Sequence, residues 1–294
     1  MKLLERIRRG DRLLVDGAMG TLLQANGLKP GECPELMCVE RPATVRAIHQ
    51  AYFEAGSDLI ECNSFGGSRY KLAHYGLADR TTEINQAAAS LAREVAGSDR
   101  FVLGSVGPTG EFMEPYGDES EDDFYAAFSE QLRALEAGGA DAVIIETMSS
   151  IEEAAVAVRA AREQTDLVVI ASFTYDTLPD GGFATMMGVR PRQAAESMLA
   201  AGAHVLGANC GTGAETMCGI MQELRSAAPE TPLLAMPNAG MPVVENGNTC
   251  FKEAPEQMAT KVVPLLAAGV QLLGGCCGTT PAHTAAMRKL LDAH

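Results

Sequence analysis

Two adjacent cysteines stand inside a glycine run near the end of the chain, Gly274-Gly275-Cys276-Cys277-Gly278. Two buried apolar thiols would not need three glycines around them. Glycine lets a backbone turn sharply and approach a ligand closely, which neighbouring thiolates need if both are to point at one ion. A third thiol is on offer at Asn209-Cys210-Gly211, which also ends an apolar run and opens into a glycine turn. Three thiolates with a fourth position left open are the stoichiometry of a catalytic zinc rather than a structural one. The residue types therefore predict a Zn2+ site at Cys210, Cys276 and Cys277. A zinc held by sulfur and keeping an open position can bind a substrate thiol and keep it deprotonated at neutral pH. An electron-rich, all-sulfur shell suits alkyl transfer to that thiolate better than activation of water for hydrolysis.

The remaining cysteines read as packing or loop residues: Cys62 near a strand end, Cys33, Cys38 and Cys250 in loop-like segments, Cys218 on a helix. His49, His74, His204, His283 and His294 show no paired ligand spacing. Met186, Met187 and the other methionines read as packing.

Elements must bring three sequence-distant thiols together, and the chain supplies them. Apolar runs at Leu13–Asp16, Leu59–Asn63, Phe101–Val106, Ala142–Glu146, Leu167–Phe173, Val205–Cys210, Pro232–Pro237 and Leu272–Gly275 read as strands buried on both faces of a parallel sheet. Segments with helical spacing lie between them: Thr44–Ala55, Thr81–Val95, Glu121–Ala137, Ile151–Gln164, Pro191–Ala201, Ala214–Ala228 and Glu256–Ala268, with Pro281–Asp292 last. Ala-Gly pairs at 55–56, 137–138, 201–202 and 268–269 supply helix stops. Strand and helix alternating in this way predict a single (β/α)8 TIM barrel over residues 1–294, an α/β fold, with a doubly wound open sheet as the alternative. In a barrel the site forms at the strand C-terminal ends. There the sequence places Asp16-Gly17-Ala18-Met19-Gly20-Thr21, Glu61-Cys62-Asn63-Ser64-Phe65, Gly107-Pro108, Glu146-Thr147, Cys210, Pro237-Asn238-Ala239-Gly240 and Cys276-Cys277. Taken singly, Asp16 or Glu146 would serve equally well as a helix cap.

Bulk properties narrow the class. A net charge of −15 disfavours nucleic acid and anionic membrane surfaces. No apolar run reaches the roughly 18–20 residues that cross a bilayer. The basic start, Met1–Arg9, lacks the apolar stretch of a signal peptide, which points to a cytoplasmic address.

Together, the turn at 16–21, Gly104-Ser105-Val106-Gly107-Pro108, Glu146-Thr147, Asn209-Cys210-Gly211, Pro237-Asn238-Ala239-Gly240 and Gly274–Gly278 resemble the homocysteine S-methyltransferase family. That family includes the homocysteine-binding domain of cobalamin-dependent methionine synthase and the betaine–homocysteine methyltransferases. The resemblance runs from about residue 10 to the C-terminus, with Cys62 where the family often has Thr. It implies a zinc-containing (β/α)8 barrel that methylates homocysteine to methionine. It further implies that Glu146 and Asp16 bind the substrate amino end and that backbone amides near Gly17 and Ala18 meet its carboxylate. Asn238 is a candidate polar support for the pocket. For the methyl donor, a betaine or S-methylmethionine cation is best held by an aromatic cage, and this chain has no Trp. A methylcorrinoid (methylcobalamin) on a separate protein needs no cage and is the expected donor and partner. The alternatives are a betaine- or S-methylmethionine-dependent enzyme of the same kind and a non-catalytic zinc- or thiol-binding barrel.

Overall fold

The computed structural model describes residues 2–245 and 248–293, so His294 lies outside the described residues. Eight strands form one parallel sheet: β1 (Leu13–Leu14), β2 (Leu59–Glu61), β3 (Phe101–Val106), β4 (Ala142–Met148), β5 (Val168–Phe173), β6 (Val205–Gly213), β7 (Leu233–Asn238) and β8 (Val270–Leu273). From β3 onward each pairs with its sequence predecessor, and β8 pairs β1 through Leu13↔Leu272 and Leu14↔Leu273. The major helices are α1 (Pro42–Glu54), α2 (Thr81–Ala96), α3 (Glu121–Ala137), α4 (Ile151–Gln164), α5 (Pro191–Ala201), α6 (Ala214–Ala227), α7 (Pro255–Lys261) and α8 (Pro281–Ala293). After Val262, α7 is followed by the short helix Val263–Ala267. This is the expected (β/α)8 arrangement, a nearly closed barrel rather than an open doubly wound sheet.

No β-ladder joins β1 to β2; single hydrogen bonds bridge that seam. Asp58 N donates to Leu14 O at 2.7 Å, Leu14 N donates to Asp58 Oδ2 at 2.9 Å, and Glu61 N donates to Asp16 Oδ2 at 3.1 Å. Side-chain carboxylates thus satisfy backbone donors that a continuous ladder would have paired.

Strand alternation divides the core in two. Leu13, Val15, Leu59, Leu103, Ile144, Ile170, Val205, Leu234 and Leu272 fill one cluster, and Leu14, Ile60, Val102, Val143, Val169, Leu206, Leu233 and Leu273 join the larger cluster with the helices. The first is the barrel interior and the second the strand–helix layer. Leu3 and Ile7 of the helix Leu3–Arg8 belong to the interior cluster, and Ile7 O accepts from Gln271 Nε2 at 3.1 Å. The basic N-terminal segment, which has too few residues for a periodicity argument, is therefore a plug against the barrel interior.

Smaller departures from the sequence reading are local. The left-handed residue after α3 is Gly139 (φ +101°), because Gly138 still has helical φ (−77°). Cys38 lies in the short helix Met37–Glu40 and Cys250 in the strand Asn248–Cys250, not in loops. Met186 and Met187, expected in packing, are exposed between β5 and α5.

Candidate metal and substrate site

The C-terminal ends of β6 and β8 bring three thiols to one place. The Sγ atoms of Cys210, Cys276 and Cys277 lie within 4.8 Å of one another, and Cys210 Sγ to Cys277 Sγ is 3.7 Å. A tetrahedral zinc with Zn–S bonds of about 2.3 Å has sulfurs about 3.8 Å apart, so the observed edge matches that geometry.

Unusual backbone builds the cluster. Cys210 has φ +60°, a left-handed conformation that costs a side-chain-bearing residue roughly 1–2 kcal/mol. The β6–β7 register shifts between Asn209 and Gly213, so a bulge turns Cys210 off the regular ladder. On the other side, Cys276 N donates to Pro237 O at 2.9 Å, Gly275 N donates to Asp16 O at 2.9 Å, and Ala239 N donates to Cys277 O at 3.0 Å. The vicinal pair is therefore strung between the ends of β7 and β1. The glycines serve close packing more than left-handed turns. A Cβ on Gly275 would sit 2.6 Å from Thr279 Oγ1, and one on Gly17 would sit 2.5 Å from the same atom. Thr279 ties the two turns together, accepting from Ala18 N at 3.0 Å and donating to Cys276 O at 2.7 Å. Tyr52 of α1 closes the bundle by donating to Ala18 O at 2.9 Å.

The bare thiols divide their protons unevenly. Hydrogen bonds from Cys276, then Cys277, hold the Cys210 thiol down to about 3. The same bonds push Cys276 well up and Cys277 up to about 11. One thiolate is at ease here; three require a cation among them. The donor set and its spacing fit a thiophilic ion such as zinc.

Three carboxyls sit beside the thiols. Asp16 and Glu146 are almost wholly buried, and burial raises the pKa of each, that of Glu146 to about 7. Burial, then the charges of Glu146 and Asp16, also raise Glu61. The charge of Cys210 further raises Glu146. Among the described residues no Lys or Arg forms an ion pair with any of the three; the ion pairs lie elsewhere. Asp16 Oδ1, Glu61 Oε1 and Asn238 Oδ1 are buried without a hydrogen-bond partner. Acidic groups gathered without a cation form an arrangement that a ligand ammonium would complete.

Glu146 is held in place by Ser105 Oγ, which donates to its Oε1 at 2.5 Å, and by Asn209 Nδ2, which donates to its Oε2 at 2.9 Å. It is not a helix cap: Ser150 accepts from Glu153 N at the start of α4. Asn238 lies buried at the end of β7, where its side chain helps lower the Cys210 thiol. The Ala18 amide already donates to Thr279, while Gly17 lies in the same turn. Asp16, Gly17, Ala18, Glu146, Asn238 and the three cysteines thus come together at one end of the barrel. Sequence reasoning did not select Glu61, Ser105 or Asn209, although an acid ending an apolar strand was a readable signal for Glu61. Asn63 turns away: its Nδ2 donates to Pro34 O at 2.7 Å and packs on Cys38.

Fold and site define a (β/α)8 barrel with a thiol cluster and an acidic recess at its strand C-terminal end. The chain belongs to the homocysteine S-methyltransferase family of methyltransferase enzymes, whose profile matches residues 13–291. It is 34% identical over 283 residues to a methionine synthase of Mycobacterium tuberculosis (strain ATCC 25618 / H37Rv) and 33% identical over 283 residues to that of Mycobacterium leprae (strain TN). Each match covers 91% of this chain but only 24% and 23% of the respective relative, so the chain spans about a quarter of their length. Among solved structures, the metallated form of the homocysteine methyltransferase MmuM from Escherichia coli superposes with a TM-score of 0.76 at 26% identity. That match covers 95% of this chain and 96% of that one.

Proposed function

We propose that this chain transfers a methyl group to the sulfur of homocysteine, giving methionine, with Zn2+ held by Cys210, Cys276 and Cys277. The observation that carries the reading is a three-thiol cluster of tetrahedral spacing beside buried, cation-free carboxyls. Zinc, when bound, would keep the substrate sulfur a thiolate at neutral pH. The protein's own groups do the rest. Glu146, held by Ser105 and Asn209, and Asp16, held by Glu61 N, receive the substrate ammonium. Its carboxylate lies along the Gly17–Ala18 turn, where it would exchange with Thr279 Oγ1 for the Ala18 amide. Asn238, at the end of β7, favours the thiolate form of Cys210. Anchoring both ends of the amino acid directs its sulfur to the thiol cluster and its lone pair outward, towards the donor carbon.

A methylcorrinoid presented by a protein module outside these 294 residues is the donor this reading favours. The matches to methionine synthases over 91% of the chain support it, as does the absence of Trp for a cationic cage. The residues 1–294 then act as one homocysteine-binding barrel domain. A cytoplasmic setting agrees with the thiol chemistry; no helix among the described residues is long and apolar enough to cross a membrane.

The test is methionine formation by zinc-loaded protein from homocysteine and methylcobalamin, with Glu146→Gln alongside wild type. Turnover that needs homocysteine and zinc, with a homocysteine KM raised about tenfold or more in Glu146→Gln, is expected for loss of a charge-assisted contact. A protein that binds zinc yet forms no methionine from homocysteine with methylcobalamin, betaine or S-methylmethionine, or a Glu146→Gln variant with unchanged KM, would overturn the respective assignment.

A further inference from the structure

Asn209 lies next to Cys210 on β6 and is fully buried, yet nothing about a metal or substrate ligand requires it. Its side-chain amide is saturated. Oδ1 accepts from Thr147 N at 2.9 Å and from Ser172 Oγ at 2.7 Å. Nδ2 donates to Glu146 Oε2 at 2.9 Å and to Thr147 Oγ1 at 2.7 Å. A backbone N–H can only donate, so the contact with Thr147 N fixes which amide atom is oxygen and which is nitrogen. All four bonds reach β4 or β5, the two strands next along the sheet from the residue's own.

The contact falls where the backbone is most distorted. Thr147 (φ +58°) and Cys210 (φ +60°) are the non-glycine residues with positive φ among those described. A β-branched residue in that region is a genuine outlier. The β4–β5 register shifts between Ile145 and Met148, so Glu146 and Thr147 form a bulge, facing the bulge that carries Cys210. Bulges beside active sites re-aim side chains. Asn209 holds both ends of this construction, since its backbone leads into Cys210 and its side chain holds the Glu146 carboxylate and the Thr147 amide.

We propose that Asn209 is a positioning residue that clamps Glu146 against the thiol cluster, so that the substrate's ammonium site and its sulfur site keep one fixed separation. The inference rests on the functional reading above. Homocysteine spans both sites at once, and a shift of the acid would leave the ammonium or the sulfur misplaced. The clamp acts on substrate binding through Glu146 and leaves the metal site in place.

Two substitutions separate this role from a structural one. Asn209→Asp keeps an acceptor for Thr147 N and Ser172 Oγ but replaces the Nδ2 donor with an oxygen facing Glu146. Asn209→Ala removes both functions. Homocysteine binding is read by calorimetry on zinc-loaded protein, together with zinc content, in wild type, both variants, Glu146→Gln and the Asn209→Ala/Glu146→Gln double variant. The expected result is zinc retained in all five. Homocysteine affinity falls about tenfold or more in both Asn209 variants, with little further loss when Asn209→Ala is added to Glu146→Gln, because the residue acts through that acid. Rescue of affinity by Asn209→Asp would overturn the clamp in favour of a backbone brace for Thr147. So would an equal loss from Asn209→Ala with and without Glu146. Wild-type protein that binds zinc but no homocysteine would instead overturn the functional reading, and the clamp with it.

Discussion

Cys210, Cys276 and Cys277 differ as bare thiols, yet as ligands each should be indispensable. Cys210 sits on a left-handed bulge, Cys277 is 3.7 Å from it, and Cys276 is the sulfur whose proton is held hardest. Replacing any one with Ala leaves two thiolates, too few for a catalytic zinc shell. One zinc per chain is expected in wild type. Each variant should lose affinity by more than the about 10–100-fold typical of an outer-shell loss, with the barrel still folded. Metal analysis after dialysis against a chelator, alongside circular dichroism, reads both; full zinc in any of the three would remove that cysteine from the shell. His49 of α1 supplies a separate prediction, away from this chemistry. It is wholly buried, neither ring nitrogen has a partner, and burial lowers its pKa to about 4. In the unfolded chain it titrates near 6.5, so between those values the unfolded state binds a proton that the folded state refuses. Its neutral form therefore supports full stability above about pH 6.5. That support, on the order of 3 kcal/mol, is lost as pH falls towards 4. His49→Leu should flatten this part of the profile, read as urea midpoints at pH 7.5 and 5; an unchanged pH slope would mean that other groups set the acid limb.

At the scale of elements, the β1–β2 seam is the place where side chains stand in for a ladder. Asp58 accepts from Leu14 N at 2.9 Å and pairs with Arg288 of α8 at 3.1 Å and with Arg6 of the plug helix at 3.7 Å. Asp58→Ala strands a buried amide, at about 1–3 kcal/mol, and frees two partly exposed arginines, at about 0–1 kcal/mol each. A loss of about 2–3 kcal/mol in chemical denaturation, with zinc retained, is the expected outcome; a midpoint unchanged from wild type would mean that water or neighbouring groups close the seam equally well. This seam also marks where the sequence stops being readable. Helices such as Glu121–Ala137, Ile151–Gln164 and Pro191–Ala201 are delimited in the sequence by caps, Pro at the first turn and apolar spacing, and they appear with those bounds. β1 pairs over only two residues, with β8, and on its β2 side Asp16 and Asp58 take over the bonding that an apolar run would lead one to expect. The hairpins at Asp176–Thr177 with Phe183–Ala184 and at Val243–Glu245 with Asn248–Cys250 carry too little alternation to be told from loops. The thiols and the acids Asp16 and Glu146 were legible because an ionisable or ligating residue ending an apolar strand is conspicuous. The left-handed turns at Thr147 and Cys210 were not, because no residue type announces a positive φ in a Thr or a Cys.

The whole molecule bears on the donor. Loops after β3, β5 and β7 leave large apolar side chains exposed at the end of the barrel that carries the thiols: Phe112, Tyr116, Met186, Met187, Met241 and Val244. An apolar rim suits a bulky, largely uncharged reactant delivered on a protein surface. A quaternary ammonium or sulfonium is held instead by enclosed aromatic faces. Acidic groups do collect in the recess, but the reading above assigns them to the amino end of homocysteine rather than to a cationic donor. Single-turnover methylation at matched protein and homocysteine concentrations should therefore proceed with a methylcorrinoid and give little or no methionine with betaine or S-methylmethionine. Free methylcobalamin should react more slowly than the same corrinoid bound to a carrier module, because the carrier supplies the orientation that converts an encounter into an in-line approach. With such a donor, the sulfur lone pair would attack the methyl carbon as the cobalt–carbon bond breaks, and the bonding electrons would remain on cobalt. Loss of the methylcobalt absorbance should then match the methionine formed, one for one. Robust turnover with betaine and none with any methylcorrinoid would replace the donor while leaving the zinc ligands and the homocysteine contacts as assigned.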